Sequence, residues 1–570
     1  MPLPLDRHGD PELRIIRQLV EAAIYEGLVD HVASAQDRGT LFEWGQADAS
    51  FRCEGRIGAF GRIRIRPETI EQQAGNNWVR PAIGDLVSSL KGSAEHRAQL
   101  LFELEQTLGF TAWNNDNLPP RLRRDLPFAQ LDAGLDEGHP YHPCFKARTG
   151  FTHEDHAAYG PEAGNSFQLI WLAVSRAYLH SALPLPEREF WIAELGAETY
   201  ALLDGRRREC CDDATKFGLL PLHPWQWQAL QNSGLSNWIS DGSAHFLGTA
   251  GDRYIASQSV RTLFNIDHPE CANIKLPMNL VNSSAKRIIE PYSVCTAPVL
   301  TDWLNDLVSD DPLFSERYPL TILGEYAGVI ADRDGPLAGE LAVIWRESVD
   351  SYLKPGEAAV PLNALMMVEH DGRPFIADWI ERHELDRWTD QLIETVAMPI
   401  WHLLVAHGFA TESHGQNLVL IHRDGWPVRL ALRDFHDSLE YAPDFLRDPG
   451  KVPDFVALNP AYAKAEPNEF YWMESVELLG ELVIDALFIY NLAEISHLLD
   501  HCYGLDEAVF WANVSRRLSV YADEHGLAER QNQLGHSKPR IFTESLLTRK
   551  LRAPGTICAH EIPNSLSVAA

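Results

Sequence analysis

The order of apolar and polar positions is clearest between residues 418 and 434. Leu418 to Ile421 form an unbroken apolar run that reads as a buried strand. Asp424-Gly425 supplies a two-residue turn, and Val428, Leu430 and Leu432 then alternate with Arg429, Ala431 and Arg433. The pattern predicts a hairpin that brings Asn417 and Asp434, at its two ends, close in space. Elsewhere, Leu13, Ile16, Val20, Ala23 and Ile24 recur at helical spacing across residues 11–29 and stop at Gly27, giving an amphipathic helix. Residues 51–57 and 61–66 alternate at period two around glycines and read as another hairpin. Helices dominate from there to about residue 150, and strands mix with loops as far as Lys354-Pro355-Gly356, which reads as a linker. A helix over Ala397–His407 runs into Gly408 ahead of the 418–434 hairpin, long helices follow it, and residues 556–570 read as a frayed tail. The expected class is α+β, in three units: 1–150, 151–354 and 355–570.

Composition narrows the partners. Lys+Arg 49 against Asp+Glu 80 leaves a formal net charge of −31, which repels nucleic-acid phosphates and anionic membrane surfaces. Any anionic ligand therefore needs a locally basic cleft. The first residues lack a basic segment followed by an apolar one, and the most apolar long segment, Val476 to Leu499, is interrupted by Glu481, Asp485, Asn491 and Glu494. It reads as a packed helix, and the expected location is the cytoplasm. Eight cysteines without a Cys-x-x-Cys arrangement fit reduced thiols better than a disulfide framework, the vicinal pair Cys210-Cys211 included. His153-Glu-Asp-His156, with His139 and His142 nearby, could suggest zinc, yet no His-Glu-x-x-His and no cysteine pair accompanies it.

Candidate chemistry gathers at three places. The loop Thr411-Glu412-Ser413-His414-Gly415-Gln416-Asn417 carries a carboxylate, an imidazole and two amides, and Asp434 adds a carboxylate at a strand end. An Asn from a loop plus an Asp at a strand end is how kinase-type nucleotide sites hold Mg2+, a hard ion that takes oxygen ligands and shares them with phosphate. The alternative is that the amides close the loop, Asp434 caps a helix and His414 is a satisfied core residue. Upstream, Ser257-Gln-Ser-Val-Arg-Thr262 and Lys275 to Arg287 repeat a theme of hydroxyls followed by arginine, a combination that grips phosphate or carboxylate oxygens. An exposed basic face would be the plainer reading of those two segments.

Taken in order, Gly138-His-Pro-Tyr-His-Pro143 with Lys146, His223-Pro-Trp-Gln226, the Ser-x-Ser-x-Arg-Thr run, Lys275-Leu-Pro with Ser283 to Arg287, Glu412 to Asn417, and Arg433-Asp434 resemble the NRPS-independent siderophore synthetases, the IucA/IucC or aerobactin-synthetase-like family. The resemblance spans residues 130 to 440. It departs at Ser283, where the family usually has Thr; the hydroxyl donor is kept and a methyl is lost. The resemblance implies a thumb, fingers and palm arrangement with a kinase-like palm. It also implies an ATP-dependent ligase that adenylates a carboxylate of citrate or a citrate derivative, then lets an amine or alcohol attack, giving amide or ester, AMP and pyrophosphate. A homodimer is a further expectation.

By matching positions, the resemblance implies that Ser257, Ser259, Arg261 and Lys275 meet the ATP phosphates, with Glu412, Gln416, Asn417 and Asp434 serving nucleotide and magnesium. Ser283, Arg287 and His414 would hold the acid, and Arg287 and His414 would act in catalysis, His414 either as donor or as base. The compact donor set suits free citrate. His142 and Lys146 are secondary candidates, and the His223-Pro-Trp-Gln run reads as architectural. A phosphotransferase would use the same Asn and Asp, although the kinase Gly-x-Gly-x-x-Gly loop is absent. A non-catalytic binder of a siderophore precursor would consume no ATP.

Overall fold

The computed structural model describes residues 10–37, 39–46, 49–231, 233–283, 286–553 and 555–567. The amphipathic first segment forms the helix Pro11–Tyr25. Asp10 caps it by accepting from the Glu12 N–H, Pro11 opens it, and Gly27 at φ +67° ends it. Its buried face, Ile15, Ile16, Leu19 and Ile24, packs beside a six-stranded sheet in which the two strands expected over 51–66 pair antiparallel, Gly55 opposite Ile65.

An eight-stranded sheet fills the middle of the chain. Its order is Leu179–Ala182, Glu325–Ala331, Ala342–Arg346, Asn273–Lys275, Thr262–Asn265, Ala244–Ala256, Phe167–Ser175 and Phe217–Leu222. Neighbours run antiparallel, and Trp171, Trp191 and Trp345 fill its core.

The predicted hairpin forms as Leu418–Arg423 against Trp426–Leu432, with Leu418 opposite Leu432. Asp424 at φ +50° and Gly425 at φ +83° make its turn, and a Cβ at Gly425 would meet the Trp379 ring at 2.2 Å. The hairpin lies inside a four-stranded sheet: Ala358–Pro361 pairs with its first strand antiparallel, and Leu320–Ile322 runs parallel to its second. Both faces are also covered: Leu430 packs into the main core and Ala431 into a cluster with Phe128, Phe264 and Val419, which is why the two are equally buried.

The apolar stretch from Val476 is one helical rod through Tyr503, with a π-helical segment at Ile484–Leu492. The expected tail is corrected by the structure. Ala559–Pro563 pairs with Arg540–Glu544, and buried Ile562 and Leu566 dock into the main core; residues 568–570 lie outside the described part. The alternation of His560 and Ile562 within a five-residue strand was too short to stand out from a loop. No helix among the described residues is long and apolar enough to cross a membrane.

Buried ion pairs tie the first strands to the last helices. Glu494 accepts from Arg62 at 2.8 Å and from Arg64 at 2.8 Å, all three buried, while Glu26 accepts from the backbone N–H groups of Leu547 and Thr548. Burial pushes the Glu494 carboxyl up, but the two guanidinium groups outweigh it and hold it down at about 2. Glu494→Ala strands both arginines, so we expect a loss of about 3–5 kcal/mol in denaturant unfolding. Because the folded pKa is depressed, this stabilisation is present above the unfolded carboxyl value of about 4.3 and fades as pH falls toward 2; the wild-type acid transition should reflect it and the variant's should not.

Candidate functional site

Ser257 to Arg261 form the tight connection between Ala244–Ala256 and Thr262–Asn265. The Ser257 N–H donates to the Thr262 carbonyl at 2.8 Å, Ser259 Oγ accepts from the Thr262 N–H at 3.1 Å, and the two serine hydroxyls bond each other at 2.9 Å. Val260 holds φ +61°, a costly conformation for a β-branched residue, and is fully buried among Phe151, Trp225 and Met278. This packing fixes where Arg261 leaves the turn. Arg261 donates to the Ile288 carbonyl, and its Nε–H is buried without a partner.

Arg287 stands opposite Met278 in a short hairpin, with its guanidinium 3.4 Å from Ser283 Oγ; Ser284 lies outside the described residues. Its Nε–H is also buried without a partner. Burial and then the like charge of Arg261 lower its pKa to about 10. Two crowded guanidinium groups with unspent donors are chemically suited to an anion.

The carboxylate side is built at the open end of the 418–432 hairpin, where the Arg433 N–H reaches the Asn417 carbonyl at 3.0 Å. Asp434 follows at φ +67°, a conformation Asp tolerates better than most residues. Lys275, from the eight-stranded sheet, donates to Asp434 and lies 3.2 Å from His436 Nε2. His436 is fully buried, 3.0 Å from Glu325 and 3.3 Å from Asp434. Burial lowers its pKa, but Asp437 and Glu325 reverse that and hold it at about 9. Burial raises Asp434, while Lys275 and His436 outweigh it and keep the carboxyl well below its ordinary value. Buried Arg346, the register partner of Glu325 on the neighbouring strand, is brought down to about 10 by burial and by Arg433.

Glu412 to Asn417 close the cleft as a compact loop. Asn417 donates its amide N–H to the Glu412 carbonyl at 3.0 Å, no hydrogen bond reaches its side-chain oxygen among the described residues, and Arg433 donates to the Gln416 carbonyl. Gly415 lets the loop pass close to Asn363, whose backbone N a Cβ there would crowd at 3.1 Å. His414 Nδ1 accepts the Gln416 N–H at 3.3 Å, which puts its proton on Nε2, 3.8 Å from Glu412. Burial lowers His414 to about 4. Desolvation in the cleft and the charges of Asp437 and Asp434 push Glu412 up to about 7, although half of its side chain still meets solvent.

Arg261, Lys275, Arg287, Glu412, His414, Asn417 and Asp434 thus share one set of contacts and fields, with Gln416 in their loop. Ser257 and Ser259 shape the turn beside them. Lys146 is buried and paired with Asp136 and Glu162; it supports the site from behind, since the Ala147 N–H donates to Asn282 next to Ser283. His142 is buried, accepts from the Cys144 N–H, and leaves Nε2 without a partner. The His223 run is a brace: His223 caps its helix, and Gln226 both donates to and accepts from Asn279 in the Arg287 hairpin. Sequence reasoning missed His436, Asp437, Glu325 and Arg346. The first two follow Asp434 directly and were within reach; the others arrive through strand pairings that leave no local signal.

The IucA / IucC family profile matches residues 127–367, and a second, described as ferric iron reductase FhuF-like transporter, matches residues 386–555. A Bacillus anthracis protein named citryl-spermidine/3,4-dihydroxybenzoyl-citryl-spermidine:spermidine ligase is 33% identical over 97% of this chain and 93% of its own length. This chain belongs to the IucA/IucC family. Among solved structures of the family, petrobactin biosynthesis protein AsbB from Bacillus anthracis superposes with a TM-score of 0.93 at 32% identity over 98% of this chain and 96% of that one. Aerobactin synthetase IucC from Klebsiella pneumoniae gives 0.83 at 25% identity over 98% of both chains. The family's relatives named here are siderophore synthetases, and the chain is a ligase of that class.

His436 offers a direct test of the buried charge network. Its imidazole should titrate near 9 by NMR and fall clearly when Glu325→Gln removes one carboxylate. Since that pKa is raised above its unfolded value of about 6.5, the stabilisation is complete below pH ~6.5 and lost as pH rises through 9.

Proposed function

We propose that this chain uses ATP to adenylate a carboxylate of a citrate derivative and joins it to an amine, releasing pyrophosphate and AMP. The observation that carries the reading is the Arg261–Arg287 pair with unspent buried donors, set in one cleft with Lys275 and Asp434. The site offers cationic groups for two anions, and adenylation brings a carboxylate and a triphosphate together. The B. anthracis relative's name puts a citryl amide on one side of its reaction and spermidine on the other. That favours an already substituted citrate over free citrate, and an amine over an alcohol.

In this reading Ser283 and Arg287 hold the acid while Arg261 and Lys275 neutralise the phosphates, with Ser257, Ser259 and Gln416 at the nucleotide. A carboxylate oxygen attacks the α-phosphorus and pyrophosphate leaves; the amine nitrogen then attacks the acyl carbon and AMP leaves. His414, neutral at physiological pH with its proton on Nε2, donates to the oxyanion. Glu412 accepts the proton that the amine gives up. Asn417 and Asp434 present hard oxygen donors at adjacent hairpin ends, a set that fits Mg2+, and Lys275 already fills the cationic position at Asp434. Bound there, the ion would neutralise triphosphate charge. The hairpin and its loop would form a kinase-like palm, with residues 1–150 and 151–354 as thumb and fingers, and the ATP supply places the reaction in the cytoplasm.

Incubating the purified protein with ATP, Mg2+ and a panel of citryl amides and polyamines should yield AMP and pyrophosphate; ADP as sole nucleotide product would instead support a phosphotransferase. Arg287→Ala should raise the KM for the acid by about 10- to 100-fold and leave that for ATP near its wild-type value. The amine-transfer rate should rise with pH through about 7, as Glu412 ionises, and level off above it. Glu412→Gln should abolish that limb of the profile; an unchanged profile removes Glu412 from the proton transfer.

A further inference from the structure

Away from this cleft, Asp311, His402 and His407 converge on one point. Asp311 Oδ2 lies 3.2 Å from His402 Nε2 and 2.9 Å from His407 Nε2, and one ligand atom from each residue falls within 4.8 Å of the others. Two atoms bound tetrahedrally to one zinc ion at ~2.0–2.1 Å sit roughly 3.3 Å apart, close to the two distances from Asp311 to the histidines.

The backbone that brings the two histidines together is unusual. Five residues of α-helix would turn His407 about 140° away from His402. Here the helix Leu385–His402 continues as a π-helical segment, Leu403–His407, whose wider turn puts residues five apart on one face. The two rings lie 5.3 Å apart at 89°. Such segments cost helical regularity and recur at functional sites. The other ring nitrogen of His402, Nδ1, lies 2.7 Å from the Tyr521 hydroxyl. That is the outer contact that orients a ligating imidazole and fixes its tautomer.

The triad also has access and free valence. Asp311, His402 and His407 line a cavity of about 740 Å³. Asp311 divides its work: Oδ1 accepts from the Leu313 N–H at 3.0 Å, and Oδ2 faces the histidines. The Arg447 guanidinium approaches Oδ2 at 3.4 Å from the solvent side, and its side chain is 55% exposed, so it can withdraw.

We propose that Asp311, His402 and His407 form a binding site for one divalent transition-metal ion of the Zn2+ or Fe2+ class, with an open position facing the cavity. Two imidazoles and one carboxylate with a free face are the donor set for such ions, and they disfavour Mg2+, which takes oxygen. The ion enters with no net proton release: each ring moves its proton from Nε2 to Nδ1, and His402 then donates to Tyr521. Because His407 precedes Gly408 and the strand Phe409–Thr411, a bound ion would also brace the approach to Glu412.

Tag-free full-length protein, stripped with chelator, tests this by calorimetric titration with Zn2+ and with Fe2+ under anaerobic conditions, and by visible absorption with Co2+. One site per chain, a raised melting temperature with Zn2+, and Co2+ bands of low-symmetry nitrogen and oxygen ligation are expected. Asp311→Asn keeps the oxygen that accepts from Leu313 and should still fold, while losing affinity on the order of 100-fold or more; His407→Gln should match it. If the His407 variant fails to fold, Asp311→Asn decides alone. No binding at micromolar metal, or binding that survives Asp311→Asn undiminished, overturns the site. Neither outcome depends on ATP or acid, so the ligase reading stands or falls separately.

Discussion

The contact between buried Lys275 and half-buried Asp434 is the constraint around which the cleft is arranged. Lys275 belongs to the eight-stranded sheet, and Asp434 lies two residues past the end of a strand of the four-stranded sheet. Neither charge can be buried alone without a cost of several kcal/mol, so the two sheets are docked at a fixed separation wherever the pair forms. His436 and Glu325 extend the network, and Asp434 answers three cations at once: Lys275, His436 and Arg346. A ligand with its own charges enters a site that is already balanced, and must redistribute these partners when it binds.

Positive and negative halves of the cleft are maintained by different means. The arginine half rests on shape: a strained turn at Val260, held by Trp225, and a hairpin clamped through Asn279 by Gln226. The His223-Pro-Trp-Gln run therefore belongs to the site mechanically although it touches no charge in it. The carboxylate half rests on electrostatics, with Glu412 and Asp437 sharing a field set by Lys275.

Local patterns in the sequence predicted the elements well where neighbours in the chain decide the outcome. Asp424-Gly425 dictated its turn, Gly27 its helix end, and the alternation at 51–66 its hairpin. The loop from Glu412 to Asn417 and the arginines at 261 and 287 were legible because hydroxyls, amides and cations cluster along short stretches. Glu325 and Arg346 were not, since their place depends on which of eight strands become neighbours. His402 and His407 escaped attention for another reason: their spacing of five suggests opposite faces of a helix, and only the π-helical segment reunites them. The ordered end at 559–567 depends on a partner strand and a distant core, neither visible in so short a segment.

The clasp between Arg62, Arg64 and Glu494 has a consequence for how the molecule is made. Arg62 and Glu494 are 432 positions apart. At a synthesis rate of about 5–20 residues per second, the arginines wait roughly 20–90 s for the carboxylate that will neutralise them. During that interval the first helix and its sheet have a surface shaped for a partner that does not yet exist. Closure of the N-terminal portion is thus a late event, timed by the ribosome, and the growing chain passes through a long window in which its earliest residues depend on solvent or on chaperones to keep them apart from one another's kind.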